Sequence, residues 1–136
     1  MKGVVFFSLC LALVFPIYQV QRGDVFDVCG LKDVYFVKTE KGKTYCEKQD
    51  KKTFSIQDMN NQQGVVLIFE SNLEDLIHGL KIKIFKKENI ENLNIYYGYT
   101  PIYSDAIFID DKQANVQIVE REGEMIVGFP IILSGF

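Results

Sequence analysis

The spacing of its apolar segments restricts this chain more than any other feature. After Phe15 the segments are short, recur about every ten residues and are separated by turn formers, the pattern of a β-sandwich or barrel. They run over Val25–Val28, Val34–Val37, Thr53–Ile56, Val65–Phe69, Leu80–Phe85, Ile95–Tyr99, Ala106–Ile109, Val116–Val119 and Met125–Leu133. The breaks between them carry Glu-Lys-Gly-Lys, Asp-Met-Asn-Asn-Gln-Gln-Gly, Asp-Asp-Lys-Gln and Arg-Glu-Gly-Glu. No long helical period, internal repeat or low-complexity linker competes with this reading, so the expected fold class is all-β, a two-sheet sandwich.

Two strand types are distinguishable. Successive strand side chains point to opposite faces, so in Leu-Lys-Ile-Lys-Ile the residues Leu80, Ile82 and Ile84 take a dry face while Lys81 and Lys83 take a wet one. Val65 to Phe69 is apolar throughout, as suits a strand covered on both sides. One helical turn is expected at Asn72–Gly79, where Asn72 caps, acids fill the first turn and Leu73, Leu76 and Ile77 share a face.

Of the 136 residues, the first 21 read as a secretory signal peptide, with Lys2 before an apolar block from Val4 to Phe15. That block is shorter than the roughly 20 residues a membrane span needs, so export is expected and no transmembrane span. Residues 22–136 then form a single domain. The 15 Lys and Arg against 18 Asp and Glu give a net charge of −3, one unit more negative once Lys2 leaves with the leader. Nucleic acid is therefore not an expected partner, since binding phosphate requires clustered positive charge. Of the 3 cysteines, Cys10 lies in the leader. Cys29 and Cys46 remain, and an even pair in an oxidising compartment is expected to form a disulfide, contributing roughly 3 kcal/mol in the chain-entropy model.

Little here supports catalysis. His78 is the lone histidine and sits in a polar turn, a setting more often solvated than basic. No serine lies in a nucleophile elbow, and Asp110-Asp111 reads as hairpin-turn chemistry. One His and two Cys do not close a zinc site. The chain is expected to be no enzyme and to need no cofactor or metal. Arg22-Gly23-Asp24 spells a tripeptide known from integrin ligands. Tyr96, Tyr97, Tyr99 and Tyr103 gather around Pro101 as core aromatics or a cavity mouth.

The blocks "DVCG", "KTYCEKQDKKTFSI", "VVLIFESNLEDLIHGLKIKI" and "VQIVEREGEMIVGFPIILSG" resemble, in order and spacing, the ML lipid-recognition domain. The middle blocks are most similar to its myeloid differentiation factor two branch, secreted co-receptors of Toll-like receptors. The resemblance implies an immunoglobulin-like sandwich whose sheets splay around an apolar cavity for acyl chains or sterol. By position it assigns Phe54, Ile56, Leu80, Ile82, Ile84, Val116, Ile118, Phe129, Ile131 and Leu133 to the lining. Lys81, Lys83, Lys86 and Lys87 fall at the rim, available to an anionic headgroup. The family's late cysteine and mid-chain cysteine hairpin are absent, and a Cys29–Cys46 bond would rearrange its pairing.

Two functions follow from these readings. One is a secreted lipid-binding protein, in the resemblance an innate-immune co-receptor for lipopolysaccharide-like ligands beside a Toll-like receptor ectodomain. The other is a solid-cored secreted adhesion or effector domain that binds a protein partner through its loops or through Arg22-Gly23-Asp24.

Overall fold

A computed structural model of the chain describes Phe26, Asp27 and residues 29–130. Its elements in order are β1 (Leu31–Glu40), β2 (Lys43–Gln49), α1 (Ile56–Asn60), β3 (Val65–Phe69), α2 (Leu73–Gly79), β4 (Lys83–Ile90), β5 (Leu93–Tyr99), β6 (Ile107–Ile109), β7 (Lys112–Ala114), β8 (Val116–Arg121) and β9 (Glu124–Phe129). Strands hold 53% of the described residues against 13% in helix, so the chain is all-β, in an arrangement consistent with a sandwich. Seven strands form one antiparallel sheet in the order β2-β1-β3-β9-β8-β5-β4, and β6 and β7 form a second, two-stranded sheet.

Local turn chemistry fixes the hairpins. Lys41-Gly42, Glu91-Asn92 and Asp110-Asp111 all have positive φ at both positions. That backbone matches the twist of the strands it joins, and it gives the Asp110-Asp111 pair the turn role expected of it. The registers close tightly around these turns, with Glu40 opposite Lys43, Ile90 opposite Leu93 and Ile109 opposite Lys112.

The unbroken run Val65–Phe69 is a central strand, bonded to β1 on one side and β9 on the other. Its two faces enter different clusters. Val65, Leu67 and Phe69 join the main core, together with Val34, Val116, Ile118, Val127 and Phe129. Val66 packs with Val37 and Ile126 in a smaller cluster. Both helices serve the main core, through Met59 and Leu76. In α2 the expected cap is present: Asn72 Oδ1 accepts from the Asp75 N–H at 2.8 Å, and Leu73 and Ile77 pack inward beside Leu76.

Several expectations need correction. Thr53–Ile56 is no strand: Ser55 caps α1 through a reciprocal pair with Asp58, whose N–H donates to Ser55 Oγ at 3.2 Å while the Ser55 N–H donates to Asp58 Oδ2 at 3.1 Å. Phe26 and Asp27, expected in a strand, are helical. Strand β4 starts only at Lys83, because Leu80 is the C-cap of α2 and Lys81 turns the chain at φ +54°. Strands β2 and β7 are additional to the expected set. The signal peptide, Arg22-Gly23-Asp24, Ile131 and Leu133 lie outside the described residues.

Candidate functional site

The residues assigned to a lipid pocket are largely brought together, as packing partners of one another. Leu80, Ile82, Val116, Ile118 and Phe129 are buried in a single cluster with Met59, Leu76 and Tyr103, and Phe54, Ile56 and Ile84 pack against it from partly buried positions. The Tyr103 and Phe129 rings meet at 5.6 Å. Ile82 arrives there by a different route from strand alternation: its N–H donates to the Ile77 carbonyl at 2.9 Å, so the end of α2 steers it inward. No cavity between the sheets is shown among the described residues.

The lysines expected at a rim divide by environment. Lys81, Lys83 and Lys87 are exposed, with the Lys87 ammonium 5.5 Å from the centre of the Tyr96 ring. Lys86 pairs with Asp110 at 2.7 Å and Glu88 at 3.1 Å. Hydrogen bonding to Asp110, then to Glu88, raises its pKa, so its charge is already committed within the protein.

Beside α2 an open depression of about 490 Å³ is lined by Cys29, Glu74, Asp75, His78 and Gly79. Cys29 is buried, its Sγ 3.9 Å from the Asp75 carbonyl oxygen. Burial, followed by the nearby Asp75 charge, raises the thiol pKa, and a protonated thiol is a poor nucleophile and metal ligand. A Cβ on Gly79 would collide with this sulfur, so the glycine is what lets helix and thiol meet. No set of three His, Cys, Asp or Glu side chains suited to a metal occurs among the described residues. The expected Cys29–Cys46 disulfide is not formed. The reason is placement: Cys29 belongs to the main core, while Cys46, opposite Val37 on β2, packs on the other face of the sheet.

A third region escaped the sequence reading. Asn115, fully buried between β7 and β8, accepts from the Thr100 N–H at 2.8 Å and donates to the carbonyls of Thr100 and Tyr103, both at 2.7 Å. Thr100 Oγ1 in turn donates to the Leu80 carbonyl at 2.6 Å. Asn60 ties the same loop to α1, donating to the Ile102 carbonyl at 2.8 Å and accepting from the Ser104 N–H at 2.7 Å. Buried polar groups fully satisfied in this way rigidify what they join, here the loop that carries the β6–β7 hairpin. An Asn between the apolar residues Ala114 and Val116 was the available signal. Phe108 on that hairpin is 72% exposed.

Compared with models of protein families, with curated proteins and with solved structures, the chain matches none.

Proposed function

We propose that the chain is a secreted, non-catalytic recognition domain that keeps its core filled and binds a protein partner on its outer surface. The observation that carries this reading is the fate of the expected pocket. Leu80, Ile82, Val116, Ile118 and Phe129, which a carrier would turn toward acyl or sterol carbon, are packed into one another. A ligand pocket for such molecules has a volume of several hundred Å³ and lies between apolar walls, whereas the described depression of that size opens beside α2, with Glu74, Asp75 and His78 among its lining residues. Recognition then falls to exposed loops held rigid from below, and the Asn115 network supplies such support.

Two measurements on the protein purified from its secretory host test the proposal. Native mass spectrometry is expected to show the mass of the chain without bound lipid. Ile82→Phe is expected to lower stability by about 1–3 kcal/mol, the usual result of overfilling a close-packed core. Stoichiometric bound lipid, together with an Ile82→Phe variant of unchanged stability and reduced lipid content, would establish the carrier instead.

A further inference from the structure

The seven-stranded sheet has a second apolar face, turned away from the main core. Val37, Val66 and Ile126, on β1, β3 and β9, lie on it and are only 1%, 0% and 2% exposed. The partly buried apolar side chains packed against them, Tyr35, Cys46, Ile68 and Val119, all come from strands of the same sheet. A side chain flanked only within its own sheet keeps its tip in water, so losing all exposure takes a second layer, about 10 Å above the first. Among the described elements none supplies it. Both helices are committed to the main core, through Met59 and Leu76. The β6–β7 hairpin is held at the far flank, where Asp110 meets Lys86 of β4 at 2.7 Å, and β8 and β5 separate β4 from β9.

The stretches of chain on either side of the described residues differ in where they join the fold. The N-terminal one enters at Phe26, which packs in the main core with its ring 5.1 Å from that of Phe54, and so arrives on the other side of the sheet. Residues 131–136 follow almost directly from β9, the strand that carries Ile126. The end of β9 lies beside the patch: a Cβ built on Gly64 would touch both the Val37 side chain and the Phe129 carbonyl oxygen. The sequence that follows, Ile-Ile-Leu-Ser-Gly-Phe, is rich in large apolar side chains and has no charged one. Such a segment, fully extended, reaches about 20 Å. The sheet order β2-β1-β3-β9 puts β2 three strand spacings from β9, about 14 Å.

We infer that residues 131–136 turn back over this face and cross β9, β3 and β1 toward β2, setting their Ile and Leu side chains on Val37, Val66 and Ile126. Gly128, opposite Val66, has no side chain to obstruct that course and lets another backbone approach closely. The chain in this way provides its own second layer, and this face of the sheet is closed to outside partners. Recognition is left to the loops.

Methyl nuclear Overhauser spectroscopy on the secreted chain, with Ile, Leu and Val methyl groups labelled, tests this inference. Cross-peaks from Val66 and Ile126 to Ile131, Ile132 or Leu133 are expected, independent of protein concentration. A variant ending at Pro130 gives a second reading: alkylation of Cys46 in the native protein is expected to accelerate at least about tenfold, while Cys29, in the main core, keeps its rate. The inference is overturned if those cross-peaks are absent, if they run instead to residues before Phe26, or if they vanish on dilution. A folded truncated variant whose Cys46 reacts at the parent's rate overturns it as well. Should truncation prevent folding, the methyl contacts alone decide. Neither measurement depends on bound lipid, which is what decides the carrier question.

Discussion

Asn115 shows how one residue can hold a surface in place. Its side chain satisfies three buried backbone groups in the Thr100–Tyr103 loop, and no buried side-chain nitrogen or oxygen among the described residues is left without a partner. An apolar residue of similar size would fill the space and orphan all three. Asn115→Leu is therefore expected to lose about 2–4 kcal/mol, more than a solvent-facing Asn would, because each unsatisfied buried group carries its own desolvation penalty. Urea denaturation gives the magnitude. Hydrogen exchange at the Thr100 N–H gives the location, and protection there equal to the parent's would show that the network does not hold the loop.

At the scale of elements, α1 is short enough to depend on its cap. Ser55→Ala removes one half of the reciprocal pair with Asp58 and is expected to cost about 1 kcal/mol in chemical denaturation; a change under about 0.3 kcal/mol would mean that packing of Met59 alone sets the helix. The same helix illustrates which parts of the fold were legible in the sequence. Thr-Phe-Ser-Ile alternates like a strand, and the Ser-x-x-Asp spacing that overrides it lies in the following residues. Strand β3 was legible because a strand apolar on both faces leaves an unbroken run, and α2 because cap, acids and glycine agree. Strand β2 was not: it is an edge strand exposed at most positions, so burial imposes no alternation on its sequence. Leu80 and Ile82 were recognised as buried, yet a helix end produced the alternation that looked like a strand. For the candidate site, periodicity identified dry faces and had no means of telling a packed core from a cavity, since both ask for the same side chains.

For the molecule as a whole, the open edges of the seven-stranded sheet are the feature that threatens solubility. Both edge strands carry lysines, Lys43 and Lys48 on β2 and Lys83, Lys86 and Lys87 on β4. Charge on an edge discourages pairing with another chain's edge. Replacing Lys83 and Lys87 together by Val is expected to leave the far-ultraviolet circular dichroism unchanged while light scattering at about 37 °C rises within hours. A variant that stays as clear as the parent would show that the twist of β4, rather than its charge, protects that edge.

The central pairing of β3 with β9 has a further consequence for how the chain is made. Hairpins β1–β2 and β4–β5 join neighbours in sequence, whereas Val65 finds Phe129 and Phe69 finds Met125 only after everything between has been synthesised. Until then the most apolar strand among the described residues has one side of its backbone unpaired. Closing distant pairs is the slow step in β-proteins, so the nascent chain spends a long interval with Val65–Phe69 as an edge, and chaperones that act on this chain have that segment to shield.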